Sequence, residues 1–106
     1  MTEFSDASWS SPASDLSADD YCKVCLVDDN EPGAQKVKDK CHLPVRATPG
    51  GPVNKEALRS VVGALLGARG GVQISPGDKK TAAYKVRQLL IEAKMPINTR
   101  LAELAK

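Results

Sequence analysis

The sequence predicts a mainly α fold, with a small α+β arrangement as the alternative. The expected architecture is an antiparallel helical hairpin preceded by a short helix and an extended or β segment, with a disordered N-terminal arm. Three observations predict it. Apolar residues recur at helical spacing through two punctuated stretches between Val53 and Met95. The period drops to two between Lys36 and Val45. Residues 1–16 are rich in Ser, Asp and Pro and poor in aliphatics, a composition that buries too little to fold alone. The expected organisation is a flexible acidic arm (1–16), a small helical domain (17–95) and a C-terminal tail or short helix (96–106).

Within the domain, Ser17 is placed to cap a short helix, with Asp20 at the capping-box position and Leu16 and Tyr21 at the staple positions. This helix is expected to run through about Cys25, burying Tyr21, Val24 and Cys25. Asp28-Asp29-Asn30-Glu31-Pro32-Gly33 follows as an acidic, turn-rich loop. It resembles a calcium loop only superficially, because it lacks the ligand spacing and terminal glutamate of an EF-hand.

From Lys36 to Val45, alternation puts Val37, Cys41, Leu43 and Val45 on one face and Lys36, Lys38, Lys40 and His42 on the other. That suits an edge strand guarded by lysines, or an extended segment lying across the helices. The only partner strand the pattern offers is Val72-Gln73-Ile74. Thr48 to Pro52 is a turn.

The first hairpin helix begins at Asn54, a good N-cap, with Val53 and Leu58 at the staple positions and Glu56 in the first turn. Leu58, Val61, Val62, Leu65 and Leu66 form its apolar stripe, and Gly67, Gly70 and Gly71 end it. The second begins with Ser75 as cap and Pro76 at the first position, and stops near Lys94 or Met95, before Pro96. Ala82, Ala83, Val86, Leu89, Leu90 and Ala93 make its apolar face. A brief last helix, capped by Asn98 and using Leu101, Leu104 and Ala105, is expected to need something to pack on.

Composition bounds the function. The 106 residues leave room for one domain, and Phe4, Trp9, Tyr21 and Tyr84 are the only aromatics. No apolar run approaches a membrane span, and the N-terminus lacks the basic start and apolar run of a signal peptide. A cytosolic origin with reduced cysteines is the default. The net charge of +2 hides a split: residues 1–33 hold eight acids and one base, and residues 34–106 hold fourteen bases and five acids. Such asymmetry marks an interacting protein or an arm that neutralises its own body.

Four residues could bind zinc: Cys22 and Cys25 in a C-x2-C pair, then Cys41 and His42. Adjacent Cys41 and His42 point to opposite faces on a strand, and a helical C-x2-C lacks the usual zinc knuckle. Core packing is the favoured reading, so no metal or cofactor is expected. His42 is the only histidine and no nucleophile-elbow motif occurs, so no enzyme activity is expected. Gly67 to Gly71 ends a helix and lacks the lysine of a phosphate-binding loop.

Lys79, Lys80, Lys85 and Arg87 could touch nucleic acid phosphates. The scarcity of stacking aromatics limits the expectation to weak or no binding. The candidate partner-binding residues are Phe4 and Trp9 in the arm and Arg69 in the joint, since aromatic and arginine side chains carry much interface energy.

Taken together, Cys25-Leu-Val-Asp, Lys40-Cys-His-Leu-Pro-Val-Arg46, Val53-Asn54 and Ala64 to Val72, followed by a basic helix, resemble a small module encoded among tailed-bacteriophage head genes. Such modules stand alone or form tails on prohead-protease or capsid-related proteins. The polar lead from Trp9 to Ser14 and Asp20-Tyr21 belong to the resemblance, which covers roughly residues 9–95. It implies a virion structural component rather than an enzyme. The expected role is a capsid-associated minor or decoration protein that binds the major capsid protein or another head protein. The alternatives are a head scaffolding or assembly factor, and a small basic nucleic-acid-binding or zinc-binding protein. Homo-oligomerisation is left open. The implied location is the virion, with the host cytoplasm before assembly and no membrane association.

Overall fold

The computed structural model describes residues 2–67 and 71–105. Among them the chain forms an α+β protein with four α-helices and two short two-stranded sheets. It divides into two compact units, residues 1–57 and 58–106. The division falls within a helix.

The first unit is organised by short strands. β1 (Phe4–Ser5) pairs in parallel with β4 (Val53–Asn54), Phe4 opposite Val53. β2 (Cys25–Asp28) pairs antiparallel with β3 (Cys41–Pro44), with Val27 opposite His42 and Asp28 opposite Cys41. The backbone at Val45 joins the two sheets: its N–H donates to Val24 O at 3.0 Å, and its carbonyl accepts from Asn54 N–H at 2.8 Å.

Two expectations change here. The partner of the 41–45 segment is β2, whose four residues follow directly on the first helix, while residues 72–74 take no regular structure. The expected alternation holds for buried Cys41, Leu43 and Val45 but not for Val37, which is 48% exposed. A 3-10 turn over Lys38–Lys40 separates Val37 from the strand.

Helix α1 (Ala18–Val24) starts as expected, with the Ser17 hydroxyl accepting from Asp20 N–H at 3.2 Å. It ends one residue early: Cys25 is already extended and only half-buried. Tyr21, Cys22, Val24 and Cys41 form a small core, on which Ala13, Leu16 and Cys25 pack.

The expected disordered arm is instead tied down. Besides the β1–β4 pairing, Ala7 O accepts from the Asn54 side-chain amide at 2.9 Å, and Trp9 N–H donates to Glu56 Oε2 at 3.1 Å. Lys38 Nζ donates to Ala13 O at 2.6 Å, at a 3-10 turn (Pro12–Ser14) capped by Ser11. The arm has little apolar surface of its own. Backbone and charge-assisted hydrogen bonds to residues 38 and 53–56 order it in place of a local core.

Helix α2 (Lys55–Leu65) follows β4 without a break. Asn54 caps it as predicted, Oδ1 accepting from Ala57 N–H at 3.0 Å. In the second unit, Leu58, Val61 and Leu65 are buried. Gly67 takes φ +99, a left-handed conformation that ends the helix without a Cβ penalty. The rest of the predicted Arg-Gly-Gly joint, including Arg69, lies outside the described residues.

Helix α3 (Pro76–Glu92) begins at the expected proline, and the Ser75 hydroxyl accepts from Asp78 N–H at 3.1 Å. It buries Ala82, Ala83, Val86 and Leu90. Lys94, left-handed at φ +59, and a bond from Met95 N–H to Leu90 O close it just before Pro96. Helix α4 (Thr99–Leu104), capped by Asn98, packs on α3 and buries Leu101 completely. That neighbour answers the need of so short a helix.

Candidate binding face and cysteine site

The predicted site residues fall into three places. Phe4 lies half-buried in β1 and Trp9 half-buried beside the start of α2. Lys79, Lys80, Lys85 and Arg87 lie on α3, with Lys80 and Lys85 exposed and the other two half-buried. Cys22, Cys41, Cys25 and His42 lie on and between α1, β2 and β3.

The outward side of α3 carries a feature the sequence reading did not single out. Tyr84 and Ile91 are 54% and 49% exposed, two large apolar side chains on one helix. At about 100° per residue, Lys80, Tyr84, Arg87 and Ile91 fall within an arc of about 60°. The face is thus two apolar contacts interleaved with two cations. The signal was in the sequence: positions 84 and 91 lie opposite the Ala82, Ala83, Val86 and Leu90 stripe. Charge adds to it. Residues 58–106 hold nine bases and three acids, whereas residues 1–57 hold six bases and ten acids. Another open, mostly apolar groove of about 230 Å³ is lined by Arg59, Val62, Leu90, Met95 and Pro96.

The cysteines depart from the expectation of reduced thiols. Cys22 and Cys41 form a disulfide linking α1 to β3. The proposed zinc tetrad of Cys22, Cys25, Cys41 and His42 is therefore not assembled: two of its sulfurs are bonded to each other. The C-x2-C spacing pointed to Cys25 as the neighbour of Cys22, but the antiparallel β2–β3 pairing delivers Cys41 instead. His42 is opposite Val27, on the other side of the strand from buried Cys41.

Cys25 remains a free thiol. Burial pushes it up to about 11, against the opposing hydrogen bond from Tyr21. Tyr21 is itself pushed up to about 12, by burial first and then by the Cys25 thiol. Both groups are neutral at physiological pH, so Cys25 is a poor nucleophile.

Beside the disulfide, Asp28 forms a charge-assisted pair with Lys36. That hydrogen bond chiefly, with two from Asn30, holds the Asp28 carboxyl down to about 2. Asn30 organises the loop: Oδ1 accepts from Val37 N–H at 2.9 Å, and Nδ2 approaches Cys41 Sγ at 3.3 Å and Cys22 Sγ at 3.6 Å. The Asp28–Gly33 segment thus turns donors and acceptors toward Lys36, Val37, Lys40 and the disulfide.

No protein family, curated protein or solved structure matches the chain. Among the described residues, no helix is long and apolar enough to cross a membrane.

Proposed function

We propose that this chain is a binding module rather than an enzyme: a bacteriophage virion protein associated with the capsid, docking on an acidic, partly apolar surface of a head protein. The observation that carries the docking mode is the α3 face, where exposed Tyr84 and Ile91 alternate with Lys80 and Arg87. An aromatic and a branched aliphatic flanked by cations suit protein association: the apolar pair supplies buried area and the cations supply orientation and encounter rate. Phe4 and Trp9 are held in the first unit by backbone bonds and are half-buried. The α3 face is therefore preferred to the arm as the primary contact. The virion setting rests on the resemblance of residues 9–95 to modules encoded among phage head genes.

The test is co-sedimentation with purified capsids, alongside mass spectrometry of mature particles. The expected result is stable association with mature particles that the double variant Tyr84→Ala/Ile91→Ala abolishes while its circular dichroism stays unchanged. Absence from particles, or binding indifferent to this variant, overturns the reading. Presence in proheads alone points to the scaffolding alternative. A gel-shift series at rising salt tests the nucleic-acid alternative, because phosphate contacts through Lys80 and Arg87 weaken steeply with salt.

A further inference from the structure

We propose that reduction of the Cys22–Cys41 disulfide opens a Zn²⁺ site, with the two thiolates and the Asp28 carboxylate as protein ligands and water in the fourth position. The three donor atoms already lie within 4.8 Å of one another. Tetrahedral zinc, with Zn–S near 2.3 Å and Zn–O near 2.1 Å, places its ligand atoms about 3.5–3.8 Å apart.

The convergence comes from the backbone as well as from the disulfide. Asp28 and Cys41 are register partners across β2 and β3, and Cys22 lies on the helix that leads into β2. Donors carried by three elements stay close when the sulfur–sulfur bond is cut.

The surroundings suit the ion. Two thiolates and a carboxylate around Zn²⁺ carry one net negative charge, which the Lys36 ammonium beside Asp28 cancels. The Asn30 amide, now next to both sulfurs, is placed to donate to both thiolates, the supporting role that outer hydrogen bonds play at metal sites. The thiolate pair favours zinc over the oxygen-seeking Ca²⁺ or Mg²⁺. This ligand set differs from the one the C-x2-C spacing suggested: Cys25 is engaged with Tyr21, and His42 lies across the strand.

The chemistry balances with an external dithiol as reductant. The dithiol gives two electrons and two protons and becomes a disulfide, while the Cys22–Cys41 bond breaks to two thiols. Zn²⁺ then displaces both thiol protons to solvent.

The experiment is Co²⁺ titration of the full chain, oxidised and fully reduced, followed by Zn²⁺ competition. In the reduced chain, one Co²⁺ per molecule is expected to produce a thiolate-to-metal charge-transfer band that Zn²⁺ abolishes. The oxidised chain is expected to show no band. Asp28→Asn, which leaves the cysteines in place, is expected to weaken binding about tenfold or more, and Cys25→Ser to leave it unchanged. No band in the reduced chain, an equal band in the oxidised chain, or a band lost in Cys25→Ser overturns the proposal.

Discussion

The side chain of Asn54 holds the carbonyl of Ala7 at 2.9 Å, across 47 residues of sequence, while its other atom caps helix α2 at Ala57 N–H. One buried amide thereby hydrogen-bonds two backbone groups at once. Asn54→Ala removes both bonds and is expected to cost about 2 kcal/mol. Asn54→Asp keeps the cap acceptor and loses only the donor, so it is expected to fall between wild type and the alanine variant. Urea unfolding of the three proteins checks the order.

The disulfide closes a loop with a sequence separation of 19. Restricting the unfolded chain by a loop of that size is worth about 3 kcal/mol. Unfolding with and without a phosphine reductant is expected to show this loss. Under reducing conditions, added Zn²⁺ is expected to restore part of it.

Acid stability depends on Asp28. Its pKa falls from 3.8 to about 2 on folding, chiefly through the Lys36 hydrogen bond. The stabilisation is full above the unfolded value and disappears as pH drops through the folded one. The window is therefore roughly pH 4 down to 2. Asp28→Asn is expected to flatten the stability profile in that window and leave its slope near neutrality alone.

At the other end of the scale, the Cys25 thiol rises from 9.0 to about 11. At a given pH near 8, a shift of that size leaves roughly a hundred-fold fewer thiolates than in the unfolded chain. Iodoacetamide labelling is expected to be correspondingly slow in the native protein and fast in urea. Rapid native labelling would contradict the burial of this thiol against Tyr21.

Leu101 anchors a helix of only six residues. Leu101→Ala is expected to cost about 3 kcal/mol, as typical for a buried leucine. Loss of α4 should appear as early hydrogen exchange confined to residues 99–105.

The helices were legible because their punctuation is local. Ser17, Asn54, Ser75 and Asn98 each cap the helix expected of them, and Pro76 opens α3. Short strands carry no such mark. β2 follows α1 without a turn, and its four residues, Cys25-Leu-Val-Asp, are too few for a period to distinguish from a continuing helix. β1 and β4 have two residues each and exist only because distant backbone groups meet. The disulfide was hidden for the same reason. The expectation was reduced cysteines, and only the pairing of β2 with β3 brings Cys41 beside Cys22. The α3 face escaped notice because an exposed Tyr or Ile becomes meaningful only once the helix's inner side is known.

The parallel pairing of Phe4 with Val53 also imposes a timetable on synthesis. β1 leaves the ribosome well before β4 and has no strand to join until β4 is made. At typical elongation rates of about 5–20 residues per second, that delay lasts several seconds. Meanwhile Cys22 and Cys41 emerge first, so the β2–β3 pair can form before the N-terminal residues dock. Strand-docking mutants such as Asn54→Ala would therefore lengthen the interval in which Phe4 and Trp9 stand uncovered on a nascent chain.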